Sequence, residues 1–355
     1  MIPNQRETAR AFLDPRAPVY VGATTNRSNV GDDLLLVAHQ ELLGTPAAIL
    51  PMGGNDRLLR LRLLRSGTLP LLLGGGTLIG RPAYRRAFES ATARAGSGLS
   101  LSMLGPGVSA PDETGKSSLD ELRAWAPLLD SFPEVRVRGP RSAAHLARVG
   151  VESTVVGDPV LSLMRPFRRE QPAPRPPHVV LNAADVTGMD TATTVIAEAI
   201  AAVAAVQPDL EVSVVSAADY DDQAAASLAA ALPAHARPAD VVRLSGATPR
   251  QVAAQLAATV AVPIRLHVGV CAVALDVPTI ALGYEDKCDD FFDSVHHPES
   301  HRRTPATVES GWLAERIVQA IDGSAPATTG AVDRLVTAQG LAAMHVRAEL
   351  GLASV

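Results

Sequence analysis

Lysine is nearly absent from this chain of 355 residues: Lys116 and Lys287 are the whole complement, and arginine supplies the rest of the 32 basic residues. Against 37 acidic residues the net charge is -5, which gives no global reason to bind nucleic acid, whose protein partners carry a basic face. Any anion site must be built locally. Cysteine is just as scarce. Cys271 and Cys288 make neither a disulfide framework nor a metal cluster, and two free thiols in a reducing cytoplasm are the simplest expectation. Long apolar runs are missing too. Residues 1–18 carry Arg6, Glu7, Arg10, Asp14 and Arg16 with no stretch of signal-peptide length. Apolar segments such as 193–206 and 252–262 fall short of the ~20 residues of a membrane span. The expectation is a cytoplasmic protein with no integral membrane segment and no nucleic-acid partner.

What is present is core material. Hydrophobic residues make up 47% and charged residues 19%, and the length exceeds what one hydrophobic core usually organises, so two domains are expected. Short apolar runs at 19–23, 47–50, 69–73, 100–104 and 135–137 read as strands, and 32–43, 82–95, 118–129 and 142–148 as helices. Non-alternating apolar strands between helices predict parallel, doubly wound sheets. Residues 164–177 hold Pro166, Pro172, Pro174, Pro176 and Pro177 among arginines, a composition that resists helix and strand interiors and reads as a linker. The alternation then restarts, with strands at 178–182, 211–215 and 278–282 and helices at 192–206, 221–232, 249–258 and 268–275. A last helix, 331–350, has no strand after it. The predicted organisation is an α/β protein of two Rossmann-like domains facing a cleft: 1–165, a linker at 166–177, 178–330, and a C-terminal helix in 331–355 that packs back on the first domain.

Ligands of such sheets sit beyond the carboxyl ends of the strands, and the residues that can carry chemistry fall there. The first strand opens into a loop ending Asn29-Val30-Gly31-Asp32, where a helix start offers unpaired N–H groups to an anion; equally, Asn29 and Asp32 can simply cap the helix. The third strand ends in Gly74-Gly75-Gly76, a run that asks for unusual torsions or an unobstructed surface. Ile79 stands where a dinucleotide fingerprint needs its third glycine, which argues against a nicotinamide site. Arg138 lies beside a turn and a helix start, where guanidinium can grip carboxylate or phosphate in bidentate fashion. Arg265-Leu266-His267 opens an apolar helix, so its charges need a specific partner, and a cation beside an imidazole at a helix start suits anion binding and proton transfer. Tyr284 and Lys287 follow the next strand; Lys287 can neutralise phosphate or pair with Glu285 or Asp290. His296, His297 and His301 share a loop with Glu299, in a spacing that fits no zinc signature, and read as solvated side chains.

Taken in order, Asn29-Val30-Gly31-Asp32, Gly74-Gly75-Gly76, Leu104-Gly105-Pro106-Gly107-Val108, Val137-Arg138 with Ser142, Gly157-Asp158-Pro159, Arg265-Leu266-His267, and Tyr284 with Lys287 resemble the polysaccharide pyruvyl transferase family. The resemblance implies a glycosyltransferase-B-like fold, phosphoenolpyruvate as donor with no further cofactor or metal, and a saccharide or lipid-linked glycan as acceptor. It implies catalytic roles for Arg265, His267 and Arg138, and donor or acceptor binding by Asn29, Gly31, Asp32, Gly74, Gly75, Gly76, Tyr284 and Lys287. Two departures stand out: Gly139 replaces an Asp that often follows the first-domain arginine, and Ser216-Ala217-Ala218-Asp219 lacks a histidine often found there. A nucleotide-sugar glycosyltransferase of the same fold and a non-catalytic glycan-binding protein are the alternative readings.

Overall fold

The computed structural model describes residues 14, 17–22, 29–50, 62–64, 67–95, 98–111, 116–170, 176–236 and 240–352. These fall into two compact units. The N-terminal unit takes 14, 17–22, the described residues of 34–159, and 334–352; the C-terminal unit takes 29–33 and the described residues of 160–333.

Within the first stretch of chain the elements are β1 (Val19–Val21), α1 (Val30–Leu43), β2 (Ala48–Ile49), β3 (Leu69–Leu73), β4 (Thr77–Ile79), α2 (Pro82–Ala95), β5 (Leu99–Met103), β6 (Gly107–Val108), α3 (Leu119–Leu129), β7 (Arg136–Val137), α4 (Pro140–Ala147) and β8 (Thr154–Val155). The main sheet has the order β2-β1-β3-β5, with every pairing parallel. All five residues of β3 are buried, as a strand covered on both faces requires. The glycine run after it serves packing first. A Cβ on Gly74 would overlap the Tyr20 ring, one on Gly75 would overlap Leu35, and Gly76 has φ +98°, a conformation glycine adopts without steric cost. A short strand follows, and the next helix begins only at Pro82.

The C-terminal unit continues with α5 (Val160–Met164), a 3₁₀ turn (Arg165–Glu170), β9 (His178–Ala183), α6 (Met189–Val206), β10 (Glu211–Ser216), α7 (Asp222–Ala231), β11 (Val242–Arg243), α8 (Pro249–Gln255), β12 (Val260–Val262), α9 (Leu266–Ala274), β13 (Ala281–Leu282), α10 (Asp286–Ser294), β14 (Arg302–Arg303) and α11 (Ser310–Ile321). Its strands run β11-β10-β9-β12 in parallel. The Ala261–Thr279 bridge and the Ile280 N–H on the Ala261 carbonyl (2.9 Å) carry the sheet on to β13, itself parallel to β14. Numbered from β9, this is the order 3-2-1-4-5-6 of a dinucleotide-type Rossmann sheet, whose direction of winding reverses between β9 and β12.

Three expectations change. The proline-rich segment, read as a linker that resists helix, begins with a 3₁₀ turn at Arg165–Glu170, and Pro166 sits at its second residue, where a missing N–H costs nothing. Residues 171–175 lie outside the described residues. Helices α10 and α11 were not foreseen. In α10 the apolar face is only Cys288, Phe291 and Phe292, spaced i, i+3, i+4 and hidden in an acidic run. Helix α6 is longer than read from sequence, and at 18 residues it is long and apolar enough to cross a membrane. Its buried residues Met189, Ala192, Ile196, Ala199, Ile200 and Val203 form one stripe in the unit's core, the pattern of an amphipathic core helix.

The last helix, α12 (Thr329–Glu349), groups with the N-terminal unit from residue 334 onward. Glu349 accepts from both terminal nitrogens of the buried Arg136 (3.0 and 2.7 Å) and from Ser102 Oγ (2.5 Å), while Gln339 donates to the Asp158 carbonyl (2.7 Å). Burial disfavours the Glu349 carboxylate, but its bonds to Arg136 and Ser102 outweigh that and hold its pKa below the ordinary value.

Candidate functional site

At the carboxyl edge of the C-terminal unit, three loops meet where the sheet's winding reverses. Asn182, near the end of β9 and 1% exposed, organises them. Its Oδ1 accepts from the backbone N–H of Ile264 (3.1 Å) and of Arg265 (2.7 Å), and its Nδ2 donates to the carbonyls of Ala183 (3.0 Å) and Val215 (3.1 Å). One satisfied amide thus ties β9 and β10 to the segment after β12.

Arg265 is the N-cap residue of α9, in extended backbone. Its Nε donates to Asp221 Oδ2 (3.0 Å), Nη2 to Asp221 Oδ1 (2.5 Å) and Nη1 to the Tyr284 hydroxyl (3.0 Å). The guanidinium carbon lies 4.9 Å from the Tyr220 ring centre and 5.5 Å from that of Tyr284, within cation–π range. Burial opposes the charge, but the bond to Asp221 prevails and holds Arg265 above its ordinary range. Three of its five N–H groups are used in this way, leaving one on each terminal nitrogen.

Around this pair stand the other residues foreseen for the C-terminal unit. Lys287 pairs with Glu285 (2.7 Å), and its Nζ sits 4.7 Å from the Tyr284 ring centre. Burial disfavours its charge, yet Tyr284 and Glu285 together raise its pKa. Asn29 forms an antiparallel bridge with Ala218, and the Val30 N–H donates to the Ala217 carbonyl (2.9 Å). Asn29 also caps α1, its Oδ1 accepting from the Gly31 N–H (2.9 Å), and its Nδ2 reaches the Tyr220 hydroxyl at 3.4 Å. The helix start is therefore partly capped from within. Gly31 has a separate reason to be glycine: a Cβ there would overlap the His267 ring. His267 lies in the first turn of α9, half-buried against that glycine. Asp32 completes the edge. Its neighbour Asp33 has a carboxyl pushed up to about 6 by burial and by Asp32.

The structure thus brings together Asn29, Gly31, Asp32, Arg265, His267, Tyr284 and Lys287. Gly74, Gly75, Gly76 and Arg138 belong to the N-terminal unit and form a second group. There the Gly107 N–H donates to the Gly76 carbonyl (2.8 Å), and Arg138, 1% exposed, lies so close to Gly107 that a Cβ would overlap its guanidinium. The loop 23–28 lies outside the described residues. Asp221, Asn182 and Tyr220 were missed. The signal for Asp221 was available: a charged arginine at a buried helix start needs a carboxylate, and the loop after β10 holds several.

Both departures have local causes. Gly139 is the N-cap of α4, a position where glycine costs only a few tenths of a kcal/mol relative to a capping side chain. Ala217 and Ala218 are 2% and 1% exposed beneath the Asn29 bridge, so a larger side chain on either would have to displace that segment.

Of the three loop histidines His296 is exposed, as expected, and the other two are not. His297 and His301 are buried, and His297 Nε2 donates to the Thr279 carbonyl (2.8 Å). Among the described residues no group of three or more His, Cys, Asp or Glu is placed to hold a metal, and both cysteines are free and buried. Burial pushes His297 down to about 4 from 6.5. Between those values the unfolded chain binds a proton that the folded chain refuses, so stability should fall as pH drops from 6.5 to 4, by up to about 3 kcal/mol. Urea midpoints across that window should show a slope that flattens in His297→Gln; an unchanged slope would assign the acid sensitivity elsewhere.

Two parallel Rossmann-like sheets, with arginine, lysine, histidine and tyrosine gathered at one carboxyl edge, make this an α/β protein whose fold resembles glycosyltransferase-B-like and related Rossmann enzymes. The chain covers 94% of itself and 95% of a protein assigned as a UDP-N-acetylglucosamine 2-epimerase from Listeria monocytogenes, at TM-score 0.58 and 12% identity. It likewise covers 86% of itself and 91% of the UDP-GlcNAc 2-epimerase from Methanocaldococcus jannaschii, at TM-score 0.51 and 11% identity. The α,α-trehalose 6-phosphate synthase from Burkholderia multivorans matches at TM-score 0.52 and 9% identity, over 84% of this chain and 73% of that one. At these identities the likeness is one of fold. No curated protein sequence matches the chain. The model of the polysaccharide pyruvyl transferase family matches residues 29–286, well over half of it, and the chain belongs to that family. It is a pyruvyltransferase that takes phosphoenolpyruvate as donor and a saccharide as acceptor in cell-surface polysaccharide biosynthesis.

Proposed function

We propose that the carboxyl edge of the C-terminal unit binds phosphoenolpyruvate, with Arg265 gripping the donor's anionic groups and His267 moving a proton. The observation that carries this reading is the convergence of Arg265, His267 and Lys287 with the start of α1 at the point where the sheet's winding reverses. The site is nearly charge-compensated, since Asp221 and Glu285 pair with the two cations. Oriented N–H groups, rather than net positive charge, then hold the donor.

The chemistry follows from the donor. A proton added to the methylene carbon of phosphoenolpyruvate leaves C2 electrophilic, and one sugar hydroxyl adds there as it loses its proton. Phosphate then departs from C2 with the electron pair of its C–O bond, and a second hydroxyl closes the ketal as it too loses a proton. Of the two hydroxyl protons, one balances the methylene and the other leaves with phosphate. His267 suits either transfer. We further propose that the two halves face a cleft to which Arg138 contributes, and that the protein works in the cytoplasm. The parallel order of both sheets supports the cleft, because ligands of such sheets lie beyond the strands' carboxyl ends.

Incubation with phosphoenolpyruvate and a panel of glycan acceptors should release phosphate and leave a pyruvate ketal detectable by mass spectrometry. Phosphoenolpyruvate alone should raise the thermal midpoint, because it binds only the folded state, and Arg265→Gln should abolish that rise. Release of nucleotide from nucleotide sugars, with no phosphate from phosphoenolpyruvate, would overturn the reading.

A further inference from the structure

Asp221 is 0% exposed, and its carboxylate spends itself on the protein: one oxygen accepts from Arg265 Nε, the other from Arg265 Nη2 and from the Asp185 backbone N–H (3.0 Å). Such a bidentate pair fixes the plane and direction of a guanidinium as well as its charge. The other end of Arg265 is fixed by Asn182 through its backbone N–H, and the Tyr284 hydroxyl takes Nη1. Arg265 is thus held at backbone, at Nε and at both terminal nitrogens, with two N–H groups left over.

Building on the donor site proposed above, we infer that Asp221 is a positioning residue for the transfer, acting through Arg265 to aim its remaining N–H groups at phosphoenolpyruvate. Buried as it is behind the guanidinium, it does not itself hold the donor. Its removal has an effect of distinctive sign. By Coulomb attraction alone, deleting a carboxylate next to an anion site tightens anion binding. Loss of the fixed guanidinium weakens it, because donors that must be ordered on binding hold a ligand less well.

The test is calorimetric titration of phosphoenolpyruvate, without acceptor, into the full chain and into Arg265→Gln, Asp221→Asn and the double variant, each with its thermal midpoint recorded. Asp221→Asn should weaken binding about tenfold or more, and in the double variant Asp221→Asn should add no loss to that of Arg265→Gln, as expected when one residue acts through the other. Unchanged or tighter binding in folded Asp221→Asn, or losses that add in the double variant, would overturn the proposal. Should the single variant unfold because its arginine is left buried and unpaired, the uncharged double variant still decides: affinity equal to that of Arg265→Gln supports positioning, and a further loss refutes it. Full affinity in folded Arg265→Gln would instead remove the donor site itself.

Discussion

His267→Gln should lower turnover by about 10²–10⁴-fold, the range for loss of a general acid–base group, while leaving the fold and much of the phosphoenolpyruvate binding intact. Glutamine resembles the imidazole in reach and can hydrogen-bond, but it cannot carry a proton on and off near neutral pH. The ring it replaces is seated on Gly31 in the first turn of α9, two positions from Arg265. In the donor site proposed above the anchor is Arg265, which keeps Asp221, Asn182 and Tyr284 in the variant. The expected signature is therefore a fall in kcat with a modest change in donor affinity. A structural histidine would show a different one, with activity and thermal midpoint falling together as a buried hydrogen bond is lost. Near-normal turnover in the variant would remove His267 from proton transfer.

The alternation of buried strands and amphipathic helices was legible because it is written in local periodicity: β3, β9 and β10 lie within a residue or two of their expected places. What local pattern could not supply is pairing across the chain. That the segment beginning Asn29 adds to the strand end at Ala217–Ala218, some 190 residues away, follows from tertiary packing, and with it comes the seat of His267. Short strands such as β4 and β6 carry too few residues for a period, and α10 hides three apolar positions in an acidic run. The site was readable as a set of unusual residues after strands, but not as an ordered cluster. Arg265 was visible; Asp221, which pairs with it, was one acid among several. The glycines show the same limit. The run Gly74-Gly75-Gly76 asked for unusual torsions or an unobstructed surface; Gly76 has φ +98°, while Gly74 and Gly75 lie against Tyr20 and Leu35, identities that only the packed core determines.

Gly31→Ala should cost about as much turnover as a misplaced catalytic group, on the order of 10²-fold for a shift near 1 Å, although no reacting atom is altered. Gly31 lies in the first turn of α1 without a positive φ, so the backbone accepts alanine, and a helical glycine-to-alanine change on its own favours the helix by up to ~1 kcal/mol. The obstacle is the new methyl group, which would occupy the space of the His267 ring. Either the ring turns away or the helix start retreats, and overpacking of this kind costs typically ~1–3 kcal/mol. Arg265 is anchored independently by Asp221 and Asn182, so the phosphoenolpyruvate-induced rise in thermal midpoint should persist while turnover falls. Combining Gly31→Ala with His267→Gln should give little loss beyond that of His267→Gln alone, because both changes remove the same positioned ring. Turnover of the folded Gly31→Ala enzyme equal to that of the parent would show that the contact between these residues serves packing alone, and fully additive losses would separate the glycine from the histidine.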